Sequence, residues 1–497
     1  MRNEVNQSEP SSRLKDWLSA RQSQLKVTKT TKTPGGKILD WVPIESQTKE
    51  RIATPPPVNL NYAVEVDEKK PTKPVGFDIG ESGPEGHVPV LRPDLSRVSE
   101  TIAIDDRSTK RGGLGVNKNR TNYKPTDPNP AGYFHASSSQ WANIYGCEAR
   151  LNVWDPRIDI PSSPGDDHSI SQTWLQNYQT PQVQSIEAGL TVDTGLNGDS
   201  DNHLFTYYTT DGYTKDGNNL GGYNRMYQGW IQYHASIYPG IAFNGSSVRG
   251  GAQLELGIKF QLYQGNWWFG VNYNGSNSWI WIGYYPGSLF NNGLNDHAQW
   301  VSFGGEVYSA LPNPCNTTDQ MGSGTQAAGG YDVAAYQRNL RNQSDSAGTT
   351  VNFNGIAEVD AAASNCSVNN YTIMCYMDSG SSWGSYQYYG GPSHARLRIP
   401  TEGIWQWVDY GTMVDDGVHP WNPDFRNLLT GIVMADLAKY SSQSLQKEFL
   451  ELAAKQISIS AKGITDQMTA FSKQQENGAA VFSENLEEHE EHDLVEA

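Results

Sequence analysis

Two short stretches of the chain alternate apolar and polar residues as a β-strand does. In WVSFGGEVY (300–308), the apolar positions are Val301, Phe303 and Val307, and the others are Trp300, Ser302, Glu306 and Tyr308. In SIEAGLTV (185–192), Ile186, Ala188, Leu190 and Val192 alternate with Ser185, Glu187, Gly189 and Thr191. Successive side chains of a strand point to opposite faces. Each stretch therefore predicts a strand with one face in a core and one glutamate on the other face.

A glycine lies two residues from each glutamate on the same predicted face: Gly189 beside Glu187, and Gly304 beside Glu306. A residue without a side chain leaves space there for a ligand or for another backbone. The two glutamates are therefore candidates for chemistry.

From about 130 to 400 the pattern predicts many short strands separated by turns. QLELGIKFQL (253–262) alternates throughout, and the following Gln264-Gly265-Asn266 predicts a turn. NWWFGVNY and SWIWIGYY flank residues 274–277, whose Asn-Gly pair is typical of a tight hairpin. Helical periodicity does not interrupt these strands. The pattern favours an all-β, antiparallel β-sandwich over a parallel sheet.

The two ends of the chain differ from its middle. Residues 1–128 are charged and proline-bearing, with KTPGGKILDWVPIESQ the one stretch that looks ordered. We interpret them as an N-terminal extension and possible prosegment, with Lys110-Arg111 as a candidate processing point. Residues 129–398 form the predicted sandwich. Residues 399–497 are interpreted as a helical C-terminal appendage with an acidic tail, since apolar residues recur at helical spacing from Phe425 to Leu437 and from Leu445 to Ile457.

Composition supports this interpretation. The chain of 497 residues contains 49 Gly, 26 Tyr and 15 Trp, which is typical of a β-rich protein with many turns. Its net charge of −17 argues against nucleic acid and an anionic membrane surface as partners, because both would repel it. No stretch approaches the roughly 18 apolar residues that a membrane-spanning helix needs.

The middle of the chain resembles the neprosin family of glutamic peptidases. The resemblance extends over roughly residues 130–393 and is carried, in the family's order, by IYGCEARLNVWDPRI, SISQTW, SIEAGL, HLFTYYTTDGY, NWWFGV, IGYYPGSLF, FGGEV, TDQMGSG and YQYYGGP. It implies an antiparallel β-sandwich of the glutamic-peptidase, concanavalin-like type. It also implies a catalytic pair, Glu187 and Glu306, facing each other across a cleft. Gln172 of SISQTW is a candidate hydrogen-bond donor, and Trp300 and Tyr308 are candidates for substrate binding.

A pair of carboxylates is chemically sufficient for peptide hydrolysis. An ionised glutamate activates water, while a protonated one polarises the carbonyl and protonates the leaving nitrogen. This mechanism needs neither a metal nor another cofactor. The resemblance implies protein or peptide substrates, cleavage beside proline and an acidic working pH. The sequence does not indicate which glutamate is the base, nor the oligomeric state.

The resemblance also implies secretion, although the first 24 residues contain no apolar segment of the kind found in a signal peptide. Four cysteines allow three pairings if all are bridged. The close pair Cys366 and Cys375 is the predicted disulfide, and free buried thiols remain the alternative.

Other functions remain open at this point. The triplets at Asp193 and Asp378, each Asp-Thr/Ser-Gly, resemble the paired loops of a pepsin-like aspartic peptidase. A sandwich rich in Trp and Tyr is also compatible with a carbohydrate-binding module or, since paired carboxylates hydrolyse glycosidic bonds, a glycosidase. The G-x-S-x-G match at 380–384 lacks the strand-to-helix context that motif requires.

Overall fold

The computed structural model describes residues 18–57, 69–93, 132–158, 167–179, 182–214, 217–273, 278–309, 311, 315, 317–360, 371–392, 396–401 and 404–409. The chain divides into two units, residues 1–393 and residues 394–497. No helix among the described residues has the length and apolarity needed to cross a membrane.

The described residues are mainly β-strands joined by turns. The strands are β1 (Lys29–Lys32), β2 (Ile38–Pro43), β3 (Thr72–Pro74), β4 (His87–Leu91), β5 (Tyr133–Ile144), β6 (Gly146–Asn152), β7 (His168–Asn177), β8 (Gln184–Asp193), β9 (His203–Thr209), β10 (Gly221–Tyr223), β11 (Ile231–Gln232), β12 (Gln253–Tyr263), β13 (Asn266–Asn272), β14 (Ile280–Pro286), β15 (Ala298–Tyr308), β16 (Ala335–Gln343), β17 (Thr350–Asn352), β18 (Ile356–Asp360), β19 (Thr372–Tyr376), β20 (Tyr386–Gly390), β21 (Arg396–Thr401) and β22 (Ile404–Asp409). Short helices are Thr194–Asn197 and the 3-10 turns Ile44–Gln47, Gly287–Leu289 and Ala327–Gly329.

The first large sheet has seven strands in the order β10-β9-β8-β7-β15-β5-β18, and all neighbours are antiparallel. The two glutamate-bearing strands, β8 and β15, flank β7 on either side. The strands predicted at 185–192 and 300–308 are thus confirmed, and both belong to one sheet.

The second large sheet runs β11-β14-β13-β12-β6-β16-β20-β19, with β17 paired to β16 and β3 paired in parallel to β12. The predicted turn after β12 is a two-residue hairpin loop, because Tyr263 pairs with Asn266. Gln264 and Gly265 have φ values of 48° and 72°, the left-handed conformation that such a tight loop demands. The antiparallel pairing of β13 with β14 is also confirmed.

The two large sheets pack face to face around one core. Its buried apolar residues come from the first sheet (Ile144, Leu175, Ile186, Ala188, Leu190, Leu204, Val301, Phe303) and from the second (Leu151, Leu256, Ile258, Phe260, Trp267, Phe269, Ile282, Tyr285, Leu340). Each strand contributes alternate residues, as a sandwich requires. The predicted antiparallel β-sandwich is confirmed.

The outer face of the first sheet is also buried. Every residue of β7 and of β8 is buried, including the polar members of both strands. The polar face of Glu187 is therefore not an ordinary solvated surface.

Residues before 94 contribute to this architecture. The stretch KTPGGKILDWVPIESQ, predicted to be ordered, contains β2 and the 3-10 turn after it, and β2 forms a small sheet with β1 and β4. Leu39 and Trp41 of β2 belong to the main core cluster. The processing point at Lys110-Arg111 lies outside the described residues.

The second unit is described only by the antiparallel hairpin of β21 and β22. The helices predicted between Phe425 and Ile457 and the acidic tail lie outside the described residues.

The predicted disulfide between Cys366 and Cys375 is wrong, because Cys375 is a free thiol. Cys375 lies on β19 with its Sγ 3.8 Å from Oε1 of Gln387, its partner residue on β20. Burial raises the pKa of Cys375 to about 12, so the thiol stays protonated. Cys147 is also a free thiol, buried in the inter-sheet core, and Cys366 lies outside the described residues.

One ion-pair cluster joins the N-terminal residues to the first sheet. Asp199 accepts hydrogen bonds from Lys37 Nζ at 2.7 Å and from His203 Nε2 at 2.7 Å. Partial burial acts to raise the pKa of Asp199, but the bonds from His203 and Lys37 outweigh it and hold the pKa below its ordinary value. A depressed carboxyl pKa stabilises the fold above the unfolded pKa of about 3.9, and that stability is lost as the pH falls through the folded pKa.

We expect Asp199→Asn to lower the Tm by about 1–3 °C at pH 7, since a partly exposed ion pair contributes little. The difference from the parent should persist down to about pH 4 and shrink below it, because the carboxyl of the unfolded parent then binds a proton and, at still lower pH, so does that of the folded parent. Thermal denaturation followed by circular dichroism at each pH measures this, with Asp201→Asn as the exposed control. A Tm difference that grows on acidification would contradict the assignment.

Candidate active site

Glu306 lies on β15 within a set of hydrogen-bond donors. His135 Nε2 is 3.1 Å from Oε2, His168 Nε2 is 3.2 Å from Oε1, and Gln172 Nε2 donates to Oε2 at 3.1 Å. Since a carboxylate oxygen only accepts, each imidazole presents an Nε2–H to it. All four side chains are buried. Both oxygens of Glu306 are thus fixed by groups from the two neighbouring strands, β5 and β7.

Glu187 lies on β8 and is held by hydroxyl groups. Tyr213 Oη donates to its Oε1 at 2.6 Å, and Ser185 Oγ donates to the same oxygen at 3.0 Å. Burial, followed by the charge of Glu187, raises the pKa of Tyr213 well above its ordinary value. The phenol therefore stays protonated and remains a donor to the carboxylate.

The strand register places both glutamates on one face, on opposite sides of Gln172. On β7, Gln172 is paired with Gly304 on one side and Gly189 on the other. Glu306 is two residues beyond Gly304, and Glu187 is two residues before Gly189. The glutamate Cα atoms are therefore about 10 Å apart across the strands and about 13 Å apart along them, from ordinary sheet spacings. The Glu306 side chain reaches the central Gln172 by a hydrogen bond, whereas Glu187 is bonded to Ser185 and Tyr213.

The two glycines allow neighbouring backbone to come close. A methyl group on Gly189 would lie 2.0 Å from Ser171 O and 2.7 Å from Gln172 Cα. On Gly304 it would lie 2.4 Å from Ala136 O. The sequence predicted space beside each glycine for a ligand or for another backbone, and the structure shows another backbone there.

The predicted substrate-binding residues lie at opposite ends of this face. Trp300 is buried and packs with Trp174, the residue paired with Glu187. Tyr308 is half-buried, and its ring centroid is 5.6 Å from that of His168, the donor to Glu306. Each glutamate therefore has an aromatic group at its own end of the face.

Three buried hydroxyl groups on this face make no hydrogen bond within the described part of the chain: Ser137 Oγ, Thr191 Oγ1 and Tyr223 Oη. By register, Ser137 is opposite Gly304, Thr191 is level with Glu306, and Tyr223 is level with Glu187. Burial, then the charges of Glu306 and other nearby groups including Glu187, raises the pKa of Tyr223 well above its ordinary value. The phenol is therefore a neutral donor on the same face as the two carboxylates. Buried unpaired donors are rare in proteins, and each one calls for an explanation such as a bound water or a catalytic role.

Access to the carboxylates is closed in this structure. Glu187 has 0% and Glu306 has 1% of its surface exposed. Tyr207, Tyr213 and Tyr223 form an aromatic cluster on the same face. Any reaction at the carboxylates with water and a polypeptide therefore requires covering groups to move.

Sequence reasoning missed the residues that hold the glutamates: His135 and His168 for Glu306, and Tyr213 and Ser185 for Glu187. His168 has the same strand parity as Gln172, four residues earlier on β7, and this was the available signal. His135 is opposite Glu306 on β5, a long-range pairing that local pattern does not reveal.

The two aspartates of the pepsin-like alternative belong to regions of different sheets, and Asp193 Oδ2 lies 4.0 Å from His168 Nδ1, beside the glutamate site. Asp193 ends β8 and caps the helix Thr194–Asn197, accepting from Leu196 N at 2.8 Å. Asp378 follows β19 in the other large sheet and accepts from Asn352 Nδ2 at 2.7 Å. The two aspartates thus serve separate local structures. Among the described residues, no group of three or more His, Cys, Asp or Glu side chains is placed to hold a metal ion.

Comparison with known proteins gives one matching family model and several structural alignments. Residues 165–392 match the model of the Neprosin family. The match includes Glu187, Glu306, Gln172 and His168, whereas His135 on β5 precedes it.

Two peptidase structures cover the same share of this chain. Scytalido-glutamic peptidase with a peptide-based transition-state analogue aligns with a TM-score of 0.28 and 8% identity, over 52% of this chain and 98% of that chain. SCP-B, a member of the Eqolisin family of peptidases, in complex with a tripeptide aligns with a TM-score of 0.25 and 10% identity, over 52% and 98%. A β-porphyranase from the human gut bacterium Bacteroides plebeius aligns with a TM-score of 0.14 and 8% identity, over 38% and 55%.

We expect Gly189→Ala to displace β7 at Gln172 and to destabilise the fold by about 1–3 kcal/mol, since the new methyl group overlaps main-chain atoms. Urea denaturation measures the loss of stability. Gly35→Ala is the control, because the nearest atom to its new methyl group is 3.9 Å away. Equal stability of the two variants would show that β7 does not approach Gly189 closely.

Proposed function

We infer that the chain, which carries a Neprosin domain over residues 165–392, is an endopeptidase whose reacting groups are Glu187 and Glu306. The observation that carries this proposal is the placement of both carboxylates on one buried face, on opposite sides of Gln172. Two carboxylates supply the base and the acid that amide hydrolysis requires.

Glu306 is the better candidate for the base. His135, His168 and Gln172 donate to both of its oxygens, an arrangement that suits an ionised carboxylate. In this role Glu306 takes a proton from water as the water oxygen attacks the peptide carbonyl carbon. Glu187, whose two hydroxyl donors meet at Oε1, then acts as the acid and protonates the leaving nitrogen.

Tyr223 is suited to stabilise the charge that develops on the carbonyl oxygen. Its hydroxyl is buried, neutral and without a hydrogen-bond partner in the described part of the chain. A donor fixed in a buried site stabilises a developing oxyanion far better than one in water. Gln172, bonded to Glu306, positions that carboxylate towards the centre of the face.

The aromatic cluster of Tyr207, Tyr213 and Tyr223 supports a substrate with an apolar ring beside the scissile bond. We therefore propose proline-containing proteins or peptides as substrates, cleaved at acidic pH. Secretion fits this assignment and is part of the proposal.

We expect Glu187→Gln and Glu306→Gln each to lower kcat/KM on a peptide substrate by at least about 1,000-fold, because each removes a proton-transfer group. An anilide substrate separates the roles, since its leaving group needs less help from an acid. Glu187→Gln should recover part of its loss on the anilide, and Glu306→Gln should not.

Glu85→Gln, an exposed glutamate, is the matched control and should retain parent activity. Activity that persists in both site variants would refute the glutamate mechanism. Recovery by Glu306→Gln alone on the anilide would reverse the two roles.

We expect Tyr223→Phe to lower kcat by about 100-fold with little change in KM, because the hydroxyl acts on the transition state and not on the bound substrate. Tyr285→Phe is the control, since Tyr285 is a buried tyrosine of the inter-sheet core. Steady-state kinetics on one peptide measures both variants. An unchanged kcat in Tyr223→Phe would remove this residue from the mechanism.

A further inference from the structure

The outer face of the second sheet carries an aromatic groove, formed by Ile231, Trp268, Trp281 and Tyr284. The strand alternation sends Trp267, Phe269 and Tyr285 of β13 and β14 into the inter-sheet core, and their neighbours outward into this groove. The centroids of Trp268 and Tyr284 are 4.6 Å apart, and Tyr233 stacks edge-on against Trp268 at 5.3 Å. The groove thus belongs to a different sheet from the one that carries the glutamates.

A proline-rich segment of the same chain occupies this groove. Residues 52–57 read Ile-Ala-Thr-Pro-Pro-Pro and lie outside any helix or strand. Ala53 N donates to Tyr284 Oη at 3.1 Å, and Trp281 Nε1 donates to Pro56 O at 3.0 Å. Pro56 is buried, and Ile52 and Ala53 pack against the aromatic cluster.

These contacts are those by which proteins bind extended proline-rich chains. Proline fixes the backbone dihedral φ and has no N–H, so successive prolines favour an extended chain whose carbonyl groups stay available as acceptors. Aromatic grooves recognise such chains through ring contacts and side-chain donors to the carbonyls. Trp281 supplies one donor. The indole N–H of Trp268 in the same cluster is buried and makes no hydrogen bond within the described residues.

The segment is also held where it enters the groove. The Gln47 side-chain amide donates to Gln232 O at 2.7 Å and accepts from Gln232 N at 3.0 Å. Gln232 lies on β11, the edge strand of the second sheet. The amide therefore satisfies the open edge of β11 as a neighbouring strand would, and it directs the chain onto the aromatic surface.

We propose that this groove is a binding site for proline-rich polypeptide segments, separate from the glutamate site and occupied here by the chain's own residues 52–57. Both hydrogen bonds of the segment to Trp281 and Tyr284 use its main-chain N–H and C=O groups. Another proline-rich chain offers the same carbonyl groups and rings. Because residues 52–57 are tethered, they compete for the groove at an effective concentration in the millimolar range. A change that weakens their binding therefore opens the groove to a proline-rich segment of another chain.

The test uses the full-length protein and a labelled peptide with the sequence of residues 50–58, and fluorescence anisotropy measures binding. We expect the peptide to bind at least tenfold more tightly to a triple variant, Pro55→Gly, Pro56→Gly and Pro57→Gly, than to the parent. Adding Trp281→Phe, which removes the donor and keeps an aromatic ring, should weaken binding at least tenfold. Trp141→Phe, on β5 and 49% exposed, is the matched control and should leave binding unchanged.

A peptide with glycine at the three proline positions should bind at least tenfold more weakly than the proline peptide. Mass spectrometry of the recovered peptide establishes that it is intact during the measurement. Equal binding to parent and triple variant, binding that survives Trp281→Phe, or no binding to the triple variant would each overturn the proposal.

A second measurement needs only one conservative substitution and keeps the proposal testable if the triple variant does not fold. In the Trp281→Phe protein, amide hydrogen exchange across residues 51–54 should become at least tenfold faster, because the segment leaves the groove more often. Exchange in β7 and β8 should stay at the parent rate. Unchanged exchange at residues 51–54 would show that Trp281 does not hold the segment.

Discussion

The close contacts of Gly189 with β7 and of Gly304 with β5 are the constraint on which the rest of the site depends. A methyl group at Gly189 would overlap the main chain of Ser171 and Gln172, so the residue of β8 opposite Gln172 has to be glycine. This requirement restricts the register of β8 on β7. Because the side-chain period of a strand is two, a slip by one residue would send Glu187 into the apolar core between the sheets. The same argument applies to Gly304 and Glu306 across the β15–β5 contact.

Burying this polar face imposes a second requirement. A buried carboxylate is tolerated only where hydrogen-bond donors surround it. The structure meets this with imidazole and amide donors for Glu306 and with hydroxyl donors for Glu187. By contrast, the hydroxyls of Thr191 and Tyr223 on this face have no partner in the described part of the chain. The two carboxylates thus have their donors, whereas these two hydroxyls are, under the proposed mechanism, available to a bound group.

Local pattern was sufficient for the strands and for the face on which each glutamate lies, because both follow from alternation with a period of two. The positions of Gly189 and Gly304 also predicted that another backbone or a ligand comes close to them. Local pattern did not predict the contacts of His135 and Tyr213 with the glutamates. These contacts depend on which strands become neighbours and on where a loop folds back. The disulfide prediction failed for a related reason. Short spacing between Cys366 and Cys375 says nothing about the direction of their side chains, and Cys375 is fixed by its pairing within β19 and β20.

The N-terminal residues were interpreted from composition as an extension and possible prosegment, and the structure shows how firmly part of them is bound. Leu39 and Trp41 lie in the main core, β3 pairs with β12, and residues 52–57 occupy the aromatic groove. Cleavage at Lys110-Arg111 would cut the chain after all these contacts. Residues 18–93 would then remain attached by non-covalent contacts, as a separate chain completing the sandwich. If a prosegment is removed at that point, its effect on activity would therefore have to come from the residues nearer the cut. The groove on the second sheet would stay filled until a competing proline-rich chain displaced its occupant.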